Sequence, residues 1–127
     1  QHNWININMT NECSGGQTSG CTSTEGIRGI TIDALKTIKN ECSNCQLTIT
    51  GGTEGGHAQG IYSHSNGYKV DLRFEPALDQ NIYAKIGTNI PIINKSYKGS
   101  DGNIYIKEKD HWDVAVPPKT NPKAKSI

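Results

Sequence analysis

Tyr68-Lys69-Val70-Asp71-Leu72-Arg73-Phe74 is the stretch that decides how this chain folds. Apolar and polar residues alternate without a break, the period of a half-buried β-strand. Tyr68, Val70, Leu72 and Phe74 then face one way, and Lys69, Asp71 and Arg73 the other. The apolar row needs a cover. Pro76 follows at once, in the position where proline opens a helix, and Leu78, Ile82 and Ile86 form a stripe that Gly87 closes.

Working outward, Ile32, Leu35, Ile38 and Cys42 recur at helical spacing behind Thr31, a plausible N-cap, so a helix is expected over 32–42. Gln46 to Thr50 alternates and reads as a strand. Residues 51–67 hold six glycines and form a long loop, a type of segment that is uncommon in compact domains and often functional. Ile90 to Tyr97 and Asn103 to Lys107 flank Gly99-Ser100-Asp101-Gly102, a hairpin signal. His111 to Val116 is a last strand, with Trp112, Val114 and Val116 on one face and His111, Asp113 and Ala115 on the other. Residues 1–30 read as an irregular wrap held by disulfides, with a short strand around Trp4 to Ile7, and 117–127 as a loose tail. No βαβ alternation occurs. The fold class is therefore α+β: one domain over 1–116, an antiparallel sheet with helices on one face.

With 127 residues and a net charge of +1, the chain carries no field that would draw it to nucleic acid. No apolar run approaches the roughly 18 residues that span a bilayer, so membrane insertion is not expected. The chain has neither an initiator Met nor a signal-type apolar segment and is expected to be a domain of a larger protein. Cys13, Cys21, Cys42 and Cys45 suit neither a paired zinc motif nor a redox helix start. Disulfides are expected, in any of three pairings, and with them an oxidising extracellular, periplasmic or virion-associated location.

The alternation also places chemistry. Asp71 and His111 fall on faces opposite their strands' apolar residues, and His64 lies in the loop entering the Asp71 strand. If the apolar faces meet the helices, these three converge on the open face of the sheet. Two imidazoles and one carboxylate make a zinc ligand set with a position left for water, and zinc brings such a water to a pKa of about 7. Gly67 lets the loop turn into the strand. Glu108, three residues before His111, is the candidate general base.

His64-x-x-Gly67-x-x-x-Asp71 followed by Glu108-x-x-His111-Trp112 resembles the zinc D-Ala-D-Ala carboxypeptidases and related peptidoglycan peptidases, which share a fold with the hedgehog signalling domain. The resemblance covers roughly residues 47–116. It implies a zinc metallopeptidase acting on peptidoglycan stem peptides, as a DD-carboxypeptidase or lytic endopeptidase, with His64, Asp71 and His111 on Zn²⁺ and Glu108 as base. The alternative it implies is a non-catalytic zinc-containing binding module of the hedgehog type. Where that family carries an arginine after its first strand, this chain has Thr50-Gly51-Gly52-Thr53. His57, seven residues before His64, is the residue expected to supply the missing electrophile. A shifted register would make Asp113 the ligand and Asp110 the base. His111 with Glu108 is preferred because imidazole is the commoner ligand. Trp112 is assigned to the core, and Glu54 is a candidate for bonding a histidine from behind.

Overall fold

The computed structural model describes residues 8–15, 17, 19–55, 57, 60, 63, 64 and 66–118. The strand expected around Trp4 to Ile7 and the tail from 119 onward lie outside these residues. The elements run β1 (Asn8–Met9), α1 (Gly29–Glu41), β2 (Thr48–Gly51), β3 (Lys69–Arg73), α2 (Pro76–Ile86), β4 (Ser96–Lys98), β5 (Ile104–Lys107) and β6 (His111–Ala115). Among the described residues, six strands form one sheet in the order β1-β2-β3-β6-β5-β4. The expectation of a purely antiparallel sheet is corrected at one edge, where β1 pairs parallel to β2. The other pairs are antiparallel. The class is α+β with a mixed sheet and, among the described residues, two helices.

The fold's centre is the strand that the alternation identified. Val70 and Leu72 of β3 lie opposite Val114 and Trp112 of β6, and all four are fully buried. Leu35 and Ile38 of α1 and Leu78 and Ile82 of α2 join the same buried cluster, so both helices cover one face of the sheet. Trp112 is its largest member; its indole Nε1 donates to Asp79 Oδ1 at 2.9 Å, which satisfies the ring's one donor.

Local chemistry explains the helix ends. Glu75 caps α2 by accepting from Ala77 N and Leu78 N, both at 3.1 Å, and Gly87 ends it with a left-handed φ of 79°. Thr31 is not the N-cap of α1. That helix starts at Gly29, three residues earlier than expected, behind Arg28 and with no side-chain cap; the Thr31 hydroxyl is buried and donates instead to Gly67 O at 2.8 Å. Ile90 to Asn94 is not strand: Pro91 lacks a ladder donor and Asn94 takes a φ of 68°, so pairing starts only at Ser96. The disulfides are Cys13–Cys21 and Cys42–Cys45, consistent with an oxidising environment. No described helix is long and apolar enough to cross a membrane.

Candidate metal centre

The register of β3 against β6 sets two acids face to face. Asp71 and Asp113 are direct Cα partners on the side of the sheet away from the helices, and they are only 6% and 7% exposed. Facing like charges repel, and burial removes the water that would screen them. Each carboxylate also keeps a buried Oδ1 with no hydrogen-bond partner. Such a pair needs a cation between or beside its members.

His64 occupies that place. Its Nε2 lies 3.3 Å from Asp71 Oδ1 and 3.4 Å from Asp113 Oδ2, while its Nδ1 lies 3.1 Å from the Gly52 carbonyl oxygen. A carbonyl only accepts, so Nδ1 carries a hydrogen and Nε2 is the atom turned towards the acids. Burial alone would lower the His64 pKa, but the bonds and charges of Asp113 and Asp71 overcome it and push it up to about 9. Asp113 shows the reciprocal effect. Burial would raise it, yet the bond to His64 and the charges of Lys69 and His64 hold it below the usual carboxylate range.

His111 opens β6 and approaches the same acid from the other side, with Nε2 at 3.6 Å from Asp71 Oδ1. It is less buried than His64 and is held at both ring nitrogens, Nε2 by Glu108 Oε1 at 2.6 Å and Nδ1 by Asp110 Oδ1 at 2.7 Å. Burial lowers its pKa, but the bond to Asp110 and the charges of Asp71 and Glu108 leave it raised.

His57 stacks on His64, ring centroids 3.8 Å apart. Its Nε2 lies 2.5 Å from Glu54 Oε2, and Glu54 is itself fixed by the backbone N–H groups of Ser23 at 2.8 Å and Gly52 at 2.9 Å. Burial would raise the Glu54 pKa; the His57 bond and these amides lower it.

Among the described residues, two groups have ligating atoms within 4.8 Å of one another: His57 with His64 and Asp71, and Asp71 with Glu108 and His111. Asp71 is common to both. The expected ligands His64, Asp71 and His111 are thus gathered around one carboxylate, but neither group holds His64 and His111 together. To share one ion with Asp71, the rings of His64 and His111 have to close in on each other. The donor set fits a divalent metal of nitrogen and oxygen preference. The 3.3 and 3.6 Å separations about Asp71 Oδ1 suit neighbouring donors on one ion, whereas His64 and His111 do not fall in one group. Thiolate is excluded from the set because all four cysteines are in disulfides.

Three glycines shape the cradle. A Cβ on Gly51, the register partner of Asp71, would stand 2.4 Å from Asp71 Oδ2. One on Gly52 would stand 2.0 Å from Ser23 O. Gly67 has a φ of +84°, and a Cβ there would meet Gly26 O at 2.4 Å. The need for Gly67 is legible from its place between His64 and Asp71, whereas the close approach of Gly51 depends on the β2–β3 pairing. Thr53 does not replace the missing arginine: its hydroxyl lies 3.2 Å from Ser23 O and donates there. Arg73 is exposed and is the register partner of His111. No protein-family profile, curated protein or solved structure matches this chain.

Proposed function

We propose that this chain is a zinc-dependent metallopeptidase that hydrolyses peptide bonds in peptidoglycan stem peptides, with His64, Asp71 and His111 holding the ion. The observation that carries the proposal is the buried Asp71 Oδ1 flanked by two imidazole nitrogens, at 3.3 and 3.6 Å. Bound zinc would supply Lewis acidity and bring a water to a pKa of about 7. Glu108, a third exposed beside His111, would take a proton from a nucleophilic water and return it to the leaving amine. Glu108 holds His111 Nε2 at 2.6 Å, and it would be free for that work only with His111 on the ion. Gly52 O fixes the ring of His64, so the side chain presents Nε2 without searching. His57, held by Glu54, would donate to the scissile carbonyl oxygen in place of the absent arginine. Arg73, across from His111, is suited to a substrate carboxylate.

A second reading is a metal-containing binding module of the hedgehog type, favoured by Thr53 standing where an arginine is expected. Incubation of the zinc-loaded protein with purified peptidoglycan decides between them, read as released D-alanine or new amines. The peptidase reading predicts product, and a loss of about 10²–10⁴ in rate for Glu108→Gln with zinc retained. Bound zinc with no product in any preparation selects the binding module. A Glu108→Gln protein that cleaves at the unaltered rate refutes the assignment of the base.

A further inference from the structure

The ligating atoms of the metal centre fall into two groups, His57 with His64 and Asp71, and Asp71 with Glu108 and His111. Within each group they already lie within 4.8 Å of one another, and neither group needs the rings of His64 and His111 to approach. Each combines imidazole nitrogen with carboxylate oxygen, donors that suit a divalent ion such as zinc. Asp71, only 6% exposed, stands between the groups. Its Oδ1 lies 3.3 Å from His64 Nε2 on one side and 3.6 Å from His111 Nε2 on the other.

Each group is also held together without the other. His57 stacks on His64 with ring centroids 3.8 Å apart, and its Nε2 lies 2.5 Å from Glu54 Oε2. Glu108 Oε1 lies 2.6 Å from His111 Nε2. Charge points the same way. Glu54, Asp71 and Asp113 are buried, and Glu108 stands beside them, a third exposed. Among the described residues, Lys69 is the one lysine or arginine within ion-pair distance of these four carboxylates, at 3.7 Å from Asp113 Oδ1. With the imidazoles neutral, more negative charge remains than one divalent ion offsets.

We propose that the centre takes a second divalent ion, with Asp71 shared between the two, His57 and His64 on one and Glu108 and His111 on the other. Two-metal sites of this kind are an established arrangement in hydrolases. The consequence for activity rests on the peptidase reading, in which a single ion sits on His64, Asp71 and His111. With the second ion bound, Glu108 is a ligand and no longer a base, and His57 is no longer free to donate. Excess zinc would therefore switch the site off.

The test starts from the full chain loaded with one equivalent of zinc and titrates it with further zinc, by calorimetry and with native mass spectrometry to count the ions. The side chains of His57 and Glu108 are 23% and 34% exposed, so His57→Ala and Glu108→Gln should fold normally. The parent should take up a second ion saturably, and each variant should stop at one. Peptidoglycan cleavage by the parent should peak at one equivalent and fall by about 10²-fold or more with the second, the loss of the base. A parent that stops at one ion, a second ion kept in either variant, or cleavage undiminished at two equivalents would each overturn the proposal. Two ions in the parent and one in each variant, with no cleavage at any loading, would uphold the two-ion centre and refute the peptidase reading instead.

Discussion

Raising the pH should tighten metal binding steeply, because a proton on His64 occupies the place the ion needs. In the metal-free protein the His64 pKa stands at about 9, against an ordinary value of 6.5. At pH 7 the ring is therefore unprotonated in only about one molecule in a hundred, and the apparent affinity is about a hundredfold below its high-pH limit. Each pH unit between 6 and 8 should gain about tenfold in affinity, and more if the raised pKa of His111 adds a second proton. The sign for stability is opposite in the metal-free protein. A raised histidine pKa contributes stability that is complete below 6.5 and lost as pH climbs through 9, about 3 kcal/mol for His64. Metal-free protein should thus lose stability between pH 6.5 and 9 while zinc-loaded protein gains it. The assay is competition with a zinc chelator across pH 6–8, with calorimetry in buffers of different ionisation enthalpy to count the protons released. An affinity that changes by less than about threefold over that range, or no proton released at pH 7, would refute the idea that His64 Nε2 is the common partner of proton and metal.

Three further outcomes follow from particular contacts. Gly51→Val should lower zinc affinity by about tenfold or more, measured by chelator competition, since its side chain must displace Asp71 Oδ2, now 2.4 Å from a Cβ at that position. Trp112→Ala should cost about 3–5 kcal/mol in denaturant unfolding, as it empties the largest buried side chain and orphans its bond to Asp79. Glu75→Ala should cost about 1 kcal/mol through loss of the α2 cap. Burial would raise the Glu75 pKa, but bonds from Gln46, Ala77 and Leu78 lower it. Its contribution is therefore present above the unfolded carboxyl value and lost on acidification, so the variant and the parent should converge in stability at low pH.

How much could be read beforehand depends on the range of the interaction. α2 came out with its limits intact because Pro76 and Gly87 are local signals that act on their own neighbours. β3 and β6 were legible because alternation is local and their apolar faces match a single core. The N-terminus of α1 was not, because Thr31 forgoes a local cap for Gly67 O, thirty-six residues away. The parallel pairing of β1 with β2 leaves no local trace. The apolar run Ile90-Pro91-Ile92-Ile93 misled, since Ile90 is 82% exposed and packs into nothing. At the metal centre, residue type and alternation pointed to His64, Asp71 and His111. The opposition of Asp71 and Asp113 needed the register, and the Glu54–His57 bond needed the path of the loop.

X-ray absorption at the zinc edge of protein loaded with one equivalent tests the central claim most directly. The account predicts two imidazole nitrogens and a carboxylate oxygen at about 2.0–2.1 Å, with the histidine signal halved in His64→Ala and the metal lost in Asp71→Ala. A folded protein that retains no zinc, or a zinc shell unchanged by either substitution, would contradict it.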